Sequence, residues 1–163
     1  MTTIELPVSC LIDTTYLVHL MNPKAEHHAH AFAYTQALQA GRTRFYLPTL
    51  VMAEYAVRGK REGVEAILGG LNPEICGFDM SAALRYAELT QLHPTIFKVP
   101  VPEKERSVID LMLVAIADTL GVESVITCDK NICGQFRAGT SLTALDIRKP
   151  ITELFPLWHT EEG

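Results

Sequence analysis

The segment from Ser107 to Asp129 constrains the fold more than any other part of the sequence. Its first half places apolar residues on one helical face at a 3,1,3,4 spacing, and Gly121 ends that pattern. Residues 124–127, Ser-Val-Ile-Thr, follow as a short run that is typical of a strand buried on both faces. A helix that leads directly into a buried strand predicts an α/β protein with a central, mainly parallel sheet.

The same alternation of helical and strand patterns extends along the whole chain. Strands are predicted near residues 8–12, 44–47, 75–78, 124–127 and 142–147. Helices are predicted over residues 26–40, from an N-cap at Thr49, over residues 81–92 and from Ser107, with an extended proline-rich loop at 93–102. With 163 residues and 48% hydrophobic content, the chain is sized for a single domain with one core, residues 1–163.

Four acidic residues fall where the predicted elements meet one edge of the sheet. Asp13 follows the first strand, and Asp129 follows the fourth. Asp110 is expected in the first turn of its helix, and Glu54 about 7.5 Å along the helix that begins at Thr49. Strand carboxyl ends and helix amino ends share an edge in such folds, so we expect the four side chains to converge.

Each acid also has an ordinary structural explanation. The two strand-end acids are suited to capping helices or forming turns. Ser107 and Asp110 have the spacing of a capping box, and Glu54 and Arg58 form an i,i+4 pair. If the four acids converge, their mutual repulsion requires protons or a cation, and an oxygen-only ligand set favours Mg²⁺ or Mn²⁺ over zinc. Such a centre predicts hydrolysis of a phosphodiester bond by an activated water.

Three sequence fragments resemble the PIN domain family, most closely its VapC-like ribonuclease toxin branch. The fragments are CLIDTTYL, LPTLVMAEY and DLMLVAIADTLGVESVITCDKN, and the resemblance covers residues 8–136, ahead of a predicted last strand and an apolar tail within residues 142–163. It implies a three-layer α/β/α domain with a sheet of about five strands and a Mg²⁺- or Mn²⁺-dependent endoribonuclease that hydrolyses RNA. It also implies a homodimer and, for toxin members, a cognate antitoxin protein.

The resemblance assigns roles to residues that match the family's motifs. It makes four acids both the catalytic residues and the metal ligands: Asp13, Glu54, Asp110 and Asp129. It also makes Thr14 and Thr127 supporting residues, whose hydroxyls would bond the carboxylates or a metal-bound water.

The charge of the chain limits how it would bind RNA. A formal charge of -5 and a pI near 5.6 argue against a broad basic face and leave room for a local basic rim around an acidic centre. Six basic residues flank the acids and are candidates for binding RNA phosphates, although each would equally suit an ordinary exposed surface: Arg58, Lys60, Arg61, Lys104, Arg106 and Lys130.

The sequence predicts a soluble, cytoplasmic protein that does not bind a membrane. The first ten residues lack the pattern of a signal peptide, and the longest strongly apolar run, residues 111–117, is too short to span a bilayer. The apolar tail supplies a possible dimer surface, although it could instead pack on its own core: Leu154, Phe155, Leu157 and Trp158. The four cysteines form no CxxC pair, which favours free thiols.

Other functions remain open at this point. A phosphatase or receiver-like domain would use Asp13 or Asp129 as a phosphate acceptor, although the DxDxT pattern of the haloacid dehalogenase type is absent. A catalytically silent binding scaffold would keep the fold alone. Transition-metal sites at His27 with His30, or at Cys128 with Cys133, are weaker alternatives.

Overall fold

Five parallel strands form one sheet at the centre of the protein. The structure is a computed structural model that describes residues 5–58 and 61–156. The strand order is β3-β2-β1-β4-β5, and every neighbouring pair is parallel. The strands are β1 (Ser9–Ile12), β2 (Arg44–Pro48), β3 (Glu74–Cys76), β4 (Ser124–Thr127) and β5 (Thr143–Asp146). The predicted α/β class and the parallel sheet are confirmed, with strand ends shifted by one or two residues.

Helices connect the strands and complete the α/β/α architecture. They are α1 (Thr14–Met21), α2 (His28–Ala40), α3 (Thr49–Val57), α4 (Arg61–Leu71), α5 (Met80–Thr90), α6 (Val101–Leu120), α7 (Lys130–Cys133) and α8 (Ile151–Leu154). Helix α1 contacts α2 and α3, whereas α6 contacts α5 and α7. These two groups of helices meet the sheet at the edge where β1 and β4 end.

The two central strands form the most deeply buried part of the core. Leu11 and Ile12 of β1, and Val125 and Ile126 of β4, are at most 1% exposed. Ile12 pairs with Ile126, and the backbone NH of Asp13 donates to the carbonyl of Ile126 at 3.2 Å. The sheet order changes direction between β1 and β4, and in open α/β sheets ligands bind in the crevice at such a switch point.

Helix α6 begins six residues earlier than the sequence analysis predicts, at Val101 instead of Ser107. Pro102 lies in its first turn, where a proline is tolerated because the missing NH has no intrahelical partner. The capping box of Ser107 and Asp110 and the first-turn position of Asp110 are therefore wrong. About 14 Å of helix precedes Asp110, at 1.5 Å per residue. Gly121 ends the helix as predicted, with a φ of 67° in the left-handed region.

Two further boundaries differ from the predictions. Pro48 occupies the N-cap position of α3, and Thr49 is its first helical residue. The predicted extended loop at 93–102 contains a short 3₁₀ turn, Ile96–Lys98, and its last two residues belong to α6. Proline fixes a backbone angle that suits a first helical turn as well as an extended chain, so proline content alone did not separate the two.

The carboxyl-terminal segment packs on the core of its own chain. Phe155 is 6% exposed and belongs to the main hydrophobic cluster, so it does not supply an exposed dimer surface. Leu157 and Trp158 lie outside the described residues. Within residues 5–58 and 61–156, no helix is long and apolar enough to cross a membrane.

Candidate functional site

The four predicted acids line one cavity of about 560 Å³ at the switch point of the sheet. Asp13 and Asp129 directly follow β1 and β4, Glu54 projects from α3, and Asp110 projects from α6. The structure thus brings together four carboxylates that lie up to 116 positions apart in the chain. We call this space the acid cavity.

Asp13 is both a helix cap and a buried member of the acid cavity. It is the N-cap of α1, where its Oδ1 accepts from the backbone NH of Thr14 at 2.8 Å. Its Oδ2 accepts from the hydroxyls of Thr15 and Thr127, the latter at 2.7 Å. The side chain is 2% exposed, and this burial raises the pKa of Asp13 above its ordinary value while the hydrogen bonds oppose the rise. The cap explanation and the cluster explanation are therefore compatible.

The two predicted supporting threonines each bond an acid from a different part of the chain. The Thr14 hydroxyl donates to Oε2 of Glu54 at 2.7 Å, which ties α1 to α3. The Thr127 hydroxyl donates to Asp13 and accepts from the backbone NH of Asp129 at 2.8 Å, which ties β4 to β1. These bonds fix three of the four acids relative to one another.

Thr15 belongs to the same network, and the sequence analysis missed it. Besides donating to Asp13, its hydroxyl accepts from the backbone NH of Cys128 at 2.9 Å and lies 3.3 Å from the hydroxyl of Thr127. Its only sequence signal was its place in the Asp-Thr-Thr run after β1. The hydroxyl joins the ends of both central strands, so it positions Asp13 instead of facing solvent.

Asp129 caps the short helix α7 through one of its two carboxylate oxygens. Oδ1 accepts from the backbone NH groups of Asn131 at 2.7 Å and Ile132 at 3.0 Å. Within the described residues, Oδ2 makes no hydrogen bond, so it remains available to a ligand in the acid cavity.

Asp110 is the acid without a protein partner. It is 8% exposed, yet within residues 5–58 and 61–156 its carboxyl makes neither a hydrogen bond nor an ion pair. Burial raises the pKa of Asp110 to about 8; the charges of Asp129, Asp13 and Glu54 add to the rise, and Arg106 opposes it. At neutral pH and without a cation, Asp110 therefore holds a proton.

Three of the six predicted RNA-binding residues lie at the acid cavity or beside it. Arg58 lines it and pairs with Glu54 at 3.1 Å, as the i,i+4 spacing predicted. Arg106 also lines it, and Lys130 lines an adjacent cavity. Lys104 lies over the ring of Phe97, and neither it nor Arg61 lines either cavity. Lys60 is outside the described residues.

The acid cavity fits a hard divalent cation by its donor chemistry. Its ligating groups are carboxylate oxygens, which Mg²⁺ and Mn²⁺ prefer. Asp110 has a raised pKa and no bond to another described residue. A bound cation would therefore take the place of the proton on its carboxylate. Within the described residues, no group of three or more His, Cys, Asp or Glu side chains is placed to hold one metal ion. The same finding gives no support to a transition-metal site at His27 and His30 or at Cys128 and Cys133.

The chain belongs to the PIN domain family, whose model matches residues 10–135. No curated protein sequence matches it significantly. Three similar solved structures show the same fold. DNA-bound VapBC from Salmonella typhimurium is 14% identical, with a TM-score of 0.57 over 86% of this chain and 98% of that one. FitAcB from Neisseria gonorrhoeae is 19% identical, with a TM-score of 0.58 over 85% and 98%. A toxin–antitoxin complex from Klebsiella pneumoniae is 20% identical, with a TM-score of 0.52 over 82% and 95%.

These comparisons confirm the resemblance seen in the sequence. The matched range, residues 10–135, begins in β1 and ends just beyond α7, so it contains all four acids and the threonines that bond them. It nearly coincides with residues 8–136, over which the sequence fragments predicted the family.

Proposed function

We propose that this protein is a divalent-metal-dependent endoribonuclease that acts in the cytoplasm as the toxin of a toxin–antitoxin pair. The observation that carries the proposal is the acid cavity itself, which four carboxylates line and in which Asp110 is buried without a partner among the described residues. A buried carboxylate without a partner is costly unless a proton or a cation neutralises it. Membership of the PIN domain family supports the nuclease class.

The four acids would hold Mg²⁺ or Mn²⁺. The ion would supply charge stabilisation on the phosphate and a water of lowered pKa. The chain's own residues orient the ligands: Thr127 and Thr15 fix Asp13, and Thr14 fixes Glu54. These hydroxyl contacts hold the carboxylates at the acid cavity, and the carboxylates would close around a cation that binds there, since no three described side chains are already placed to hold one.

RNA phosphates would be bound by the arginines at the rim of the acid cavity. Arg106 is exposed, lines the cavity, and makes no ion pair with another described residue. Arg58 is already paired with Glu54, so its charge is partly compensated. Arg106 is therefore the stronger candidate for contact with the phosphate that is attacked.

A phosphatase that forms a phosphoaspartate is less well supported. An acceptor carboxylate must present a free oxygen to the incoming phosphorus. Asp13 is 2% exposed and both its oxygens accept hydrogen bonds, which makes it a poor acceptor. Asp129 has a free Oδ2 among the described residues, so this alternative would have to use Asp129. A catalytically silent scaffold likewise does not explain why Asp110 is buried with no hydrogen bond or ion pair to another described residue.

The partners proposed for the protein are an antitoxin and a second copy of itself. The similar structure from Salmonella typhimurium is of VapBC, that from Neisseria gonorrhoeae is of FitAcB, and that from Klebsiella pneumoniae is of a toxin–antitoxin complex. These similarities support a protein antitoxin as a partner of this chain. The homodimer follows the family resemblance alone. Light scattering at micromolar concentration tests it, and a mass near the monomer value of 18.1 kDa would contradict it.

The test of the activity is cleavage of unstructured RNA by the purified protein with Mn²⁺ and with EDTA. We expect cleavage with Mn²⁺ only, and at least a 100-fold loss in Asp110→Asn and Asp129→Asn. Asp79→Asn is the matched control, because Asp79 is an exposed N-cap of α5 where asparagine caps equally well. Full activity in both site variants, or cleavage in EDTA, would refute the proposal.

A further inference from the structure

A second cavity of about 450 Å³ adjoins the acid cavity across helix α6. Pro102 and Ile109 face the acid cavity, Glu103 and Ser107 face the second cavity, and Arg106 with Asp110 and Asp129 lines both. The amino-terminal half of α6 therefore separates the two cavities, whose linings share Asp110 and Asp129. A ligand bound at the acids is therefore directly adjacent to the second cavity.

The floor of the second cavity contains a histidine with an unused nitrogen. His93 is 7% exposed, and its Nε2 is buried without a hydrogen-bond partner among the described residues. Its ring packs edge-on against Phe136, with ring centroids 5.3 Å apart. Buried polar atoms are normally paired, and an unpaired one destabilises the fold. Burial lowers the pKa of His93, so the ring is neutral and offers one donor and one acceptor.

Two side-chain amides complete the polar lining of the second cavity. Asn131 is partly exposed and Gln135 is exposed, and neither side-chain amide bonds another described residue. Each amide presents a donor and an acceptor side by side, which is the pattern that reads the edge of a nucleobase.

Charge is distributed unevenly in the second cavity. Its charged lining residues are two cations, Arg106 and Lys130, and three acids, Glu103, Asp110 and Asp129, so the cavity is not cationic overall. Its other functional side chains are neutral: His93, Phe136, Asn131 and Gln135. A second phosphate would favour a cationic interior, while an unpaired base favours a neutral polar one with an aromatic surface.

We propose that the second cavity binds the base of the nucleotide adjacent to the phosphodiester at the acid cavity, so that it sets the sequence preference of the enzyme. Asn131, Gln135 and the unpaired Nε2 of His93 bond the edge of the base, and Phe136 supplies the aromatic surface beside it. This inference rests on the proposed ribonuclease function. It restricts the substrate to single-stranded RNA, because a paired base cannot enter a cavity of this size.

The first test measures cleavage of short single-stranded RNAs in which each position is varied in turn, with Mn²⁺. We expect a base preference at one position next to the cut. Gln135→Ala and Asn131→Ala should each reduce kcat/KM on the preferred RNA by about 10-fold, consistent with the loss of a hydrogen bond to a base. Gln36→Ala is the matched control, since Gln36 is exposed on α2 and lines neither cavity.

His93→Phe separates binding from folding. Phenylalanine keeps the contact with Phe136 and removes both ring nitrogens, so the variant should be as stable as the wild type or more stable. Its preference among the four bases should nevertheless fall. A variant that keeps the full preference would overturn the role of His93.

The second test uses nuclear magnetic resonance and needs no catalysis. Each of the four nucleoside 5′-monophosphates is titrated into the labelled full-length protein, and we expect one base to shift the ring signals of His93 and the side-chain amide of Asn131 most strongly. RNA cleavage with equal rates for all bases overturns this inference and leaves the proposed function intact. Absence of RNA cleavage refutes the proposed function, and the titration then decides the second cavity: base-dependent shifts support it, and their absence overturns it.

Discussion

Replacing Asp110 with asparagine should stabilise the protein in the absence of metal. Asp110 is 8% exposed, bonds no other residue in the described part of the chain, and has a pKa raised to about 8 from an ordinary value of 3.8. The folded chain therefore holds a proton that the unfolded chain releases above pH 3.8. Stability falls as pH rises between about pH 4 and pH 8, and asparagine removes this dependence because it does not titrate.

The size of the effect follows from the pKa. Each pH unit between the unfolded value and pH 7 costs about 1.4 kcal/mol, which gives an upper limit of about 4 kcal/mol at pH 7. Water that enters the open cavity screens the acids from one another. We therefore expect Asp110→Asn to raise the free energy of unfolding by a value on the order of 2 kcal/mol. The variant loses no hydrogen bond to another described residue, which keeps the comparison clean.

The assay is urea unfolding of both proteins in EDTA at several pH values from 4.5 to 8. The difference between them isolates Asp110, because other titrating groups such as His19 and His93, whose pKa burial lowers, contribute equally to both. The two stability curves should converge near pH 4 and separate as pH rises. Asp79→Asn, measured in parallel, should stay within about 0.5 kcal/mol of the wild type.

Two results would refute this reasoning. The first is an Asp110→Asn variant that is less stable than the wild type at pH 7 while the Asp79→Asn control behaves as expected. The second is a difference between the two proteins that does not change with pH. Either result would mean that the folded protein already neutralises the charge of the Asp110 carboxylate, so that a cation is not needed there.

The other predictions concern the threonine network, the phosphate contact and the end of α6. Thr127→Val should cost about 1–3 kcal/mol, because it leaves the buried carboxylate of Asp13 and the NH of Asp129 without their shared hydroxyl, and Thr127→Ser should restore most of the loss in the same unfolding assay. Arg106→Gln should weaken RNA binding on several sequences alike and lower the slope of log affinity against log salt by about 1, measured by fluorescence anisotropy; an unchanged slope would exclude a phosphate contact. Gly121→Ala should cost about 1 kcal/mol because the residue has a positive φ, although no atom lies within 4 Å of the added Cβ, and a neutral result would contradict that reading.

The strand-end acids were predictable from the sequence because their positions depend on local patterns. A short β-branched run buries itself on both faces, and an acid directly after it must lie at the carboxyl edge of a parallel sheet. Asp13 and Asp129 follow from this rule without any knowledge of the loops. Their capping bonds were also predictable, since Asp is a common N-cap residue.

Asp110 reached its predicted place for a different reason from the one the sequence suggested. The sequence analysis put it in the first turn of a helix that starts at Ser107, at the edge of the sheet. The helix instead starts at Val101 and extends past the strand ends, so Asp110 meets the other acids from the middle of α6. The start was missed because proline was taken to break the helix, whereas Pro102 is accommodated in the first turn.

The second cavity was beyond sequence reasoning. Apart from Arg106, Asp110, Asp129 and Lys130, the residues of its lining were given no functional role by the sequence analysis; they come from the loop before α6, from α6 and from the segment after Asp129. The unpaired nitrogen of His93 is a property of packing, since it depends on which atoms surround the ring. The same applies to Thr15, whose hydroxyl contacts Thr127 and Cys128, which lie 112 and 113 residues away in the chain.

The two halves of helix α6 differ in burial and in the surfaces that they line. Every buried residue of the helix lies at Asp110 or beyond it, whereas the nine residues from Val101 to Ile109 are exposed or only partly buried, and six of them line the two cavities. Natural variation in the first nine residues would therefore change what the protein binds with little effect on its folding. Variation beyond Asp110 would be removed by instability. A lineage could change the ligand preference of the two cavities by substitutions within about two turns of one helix, without rebuilding its core.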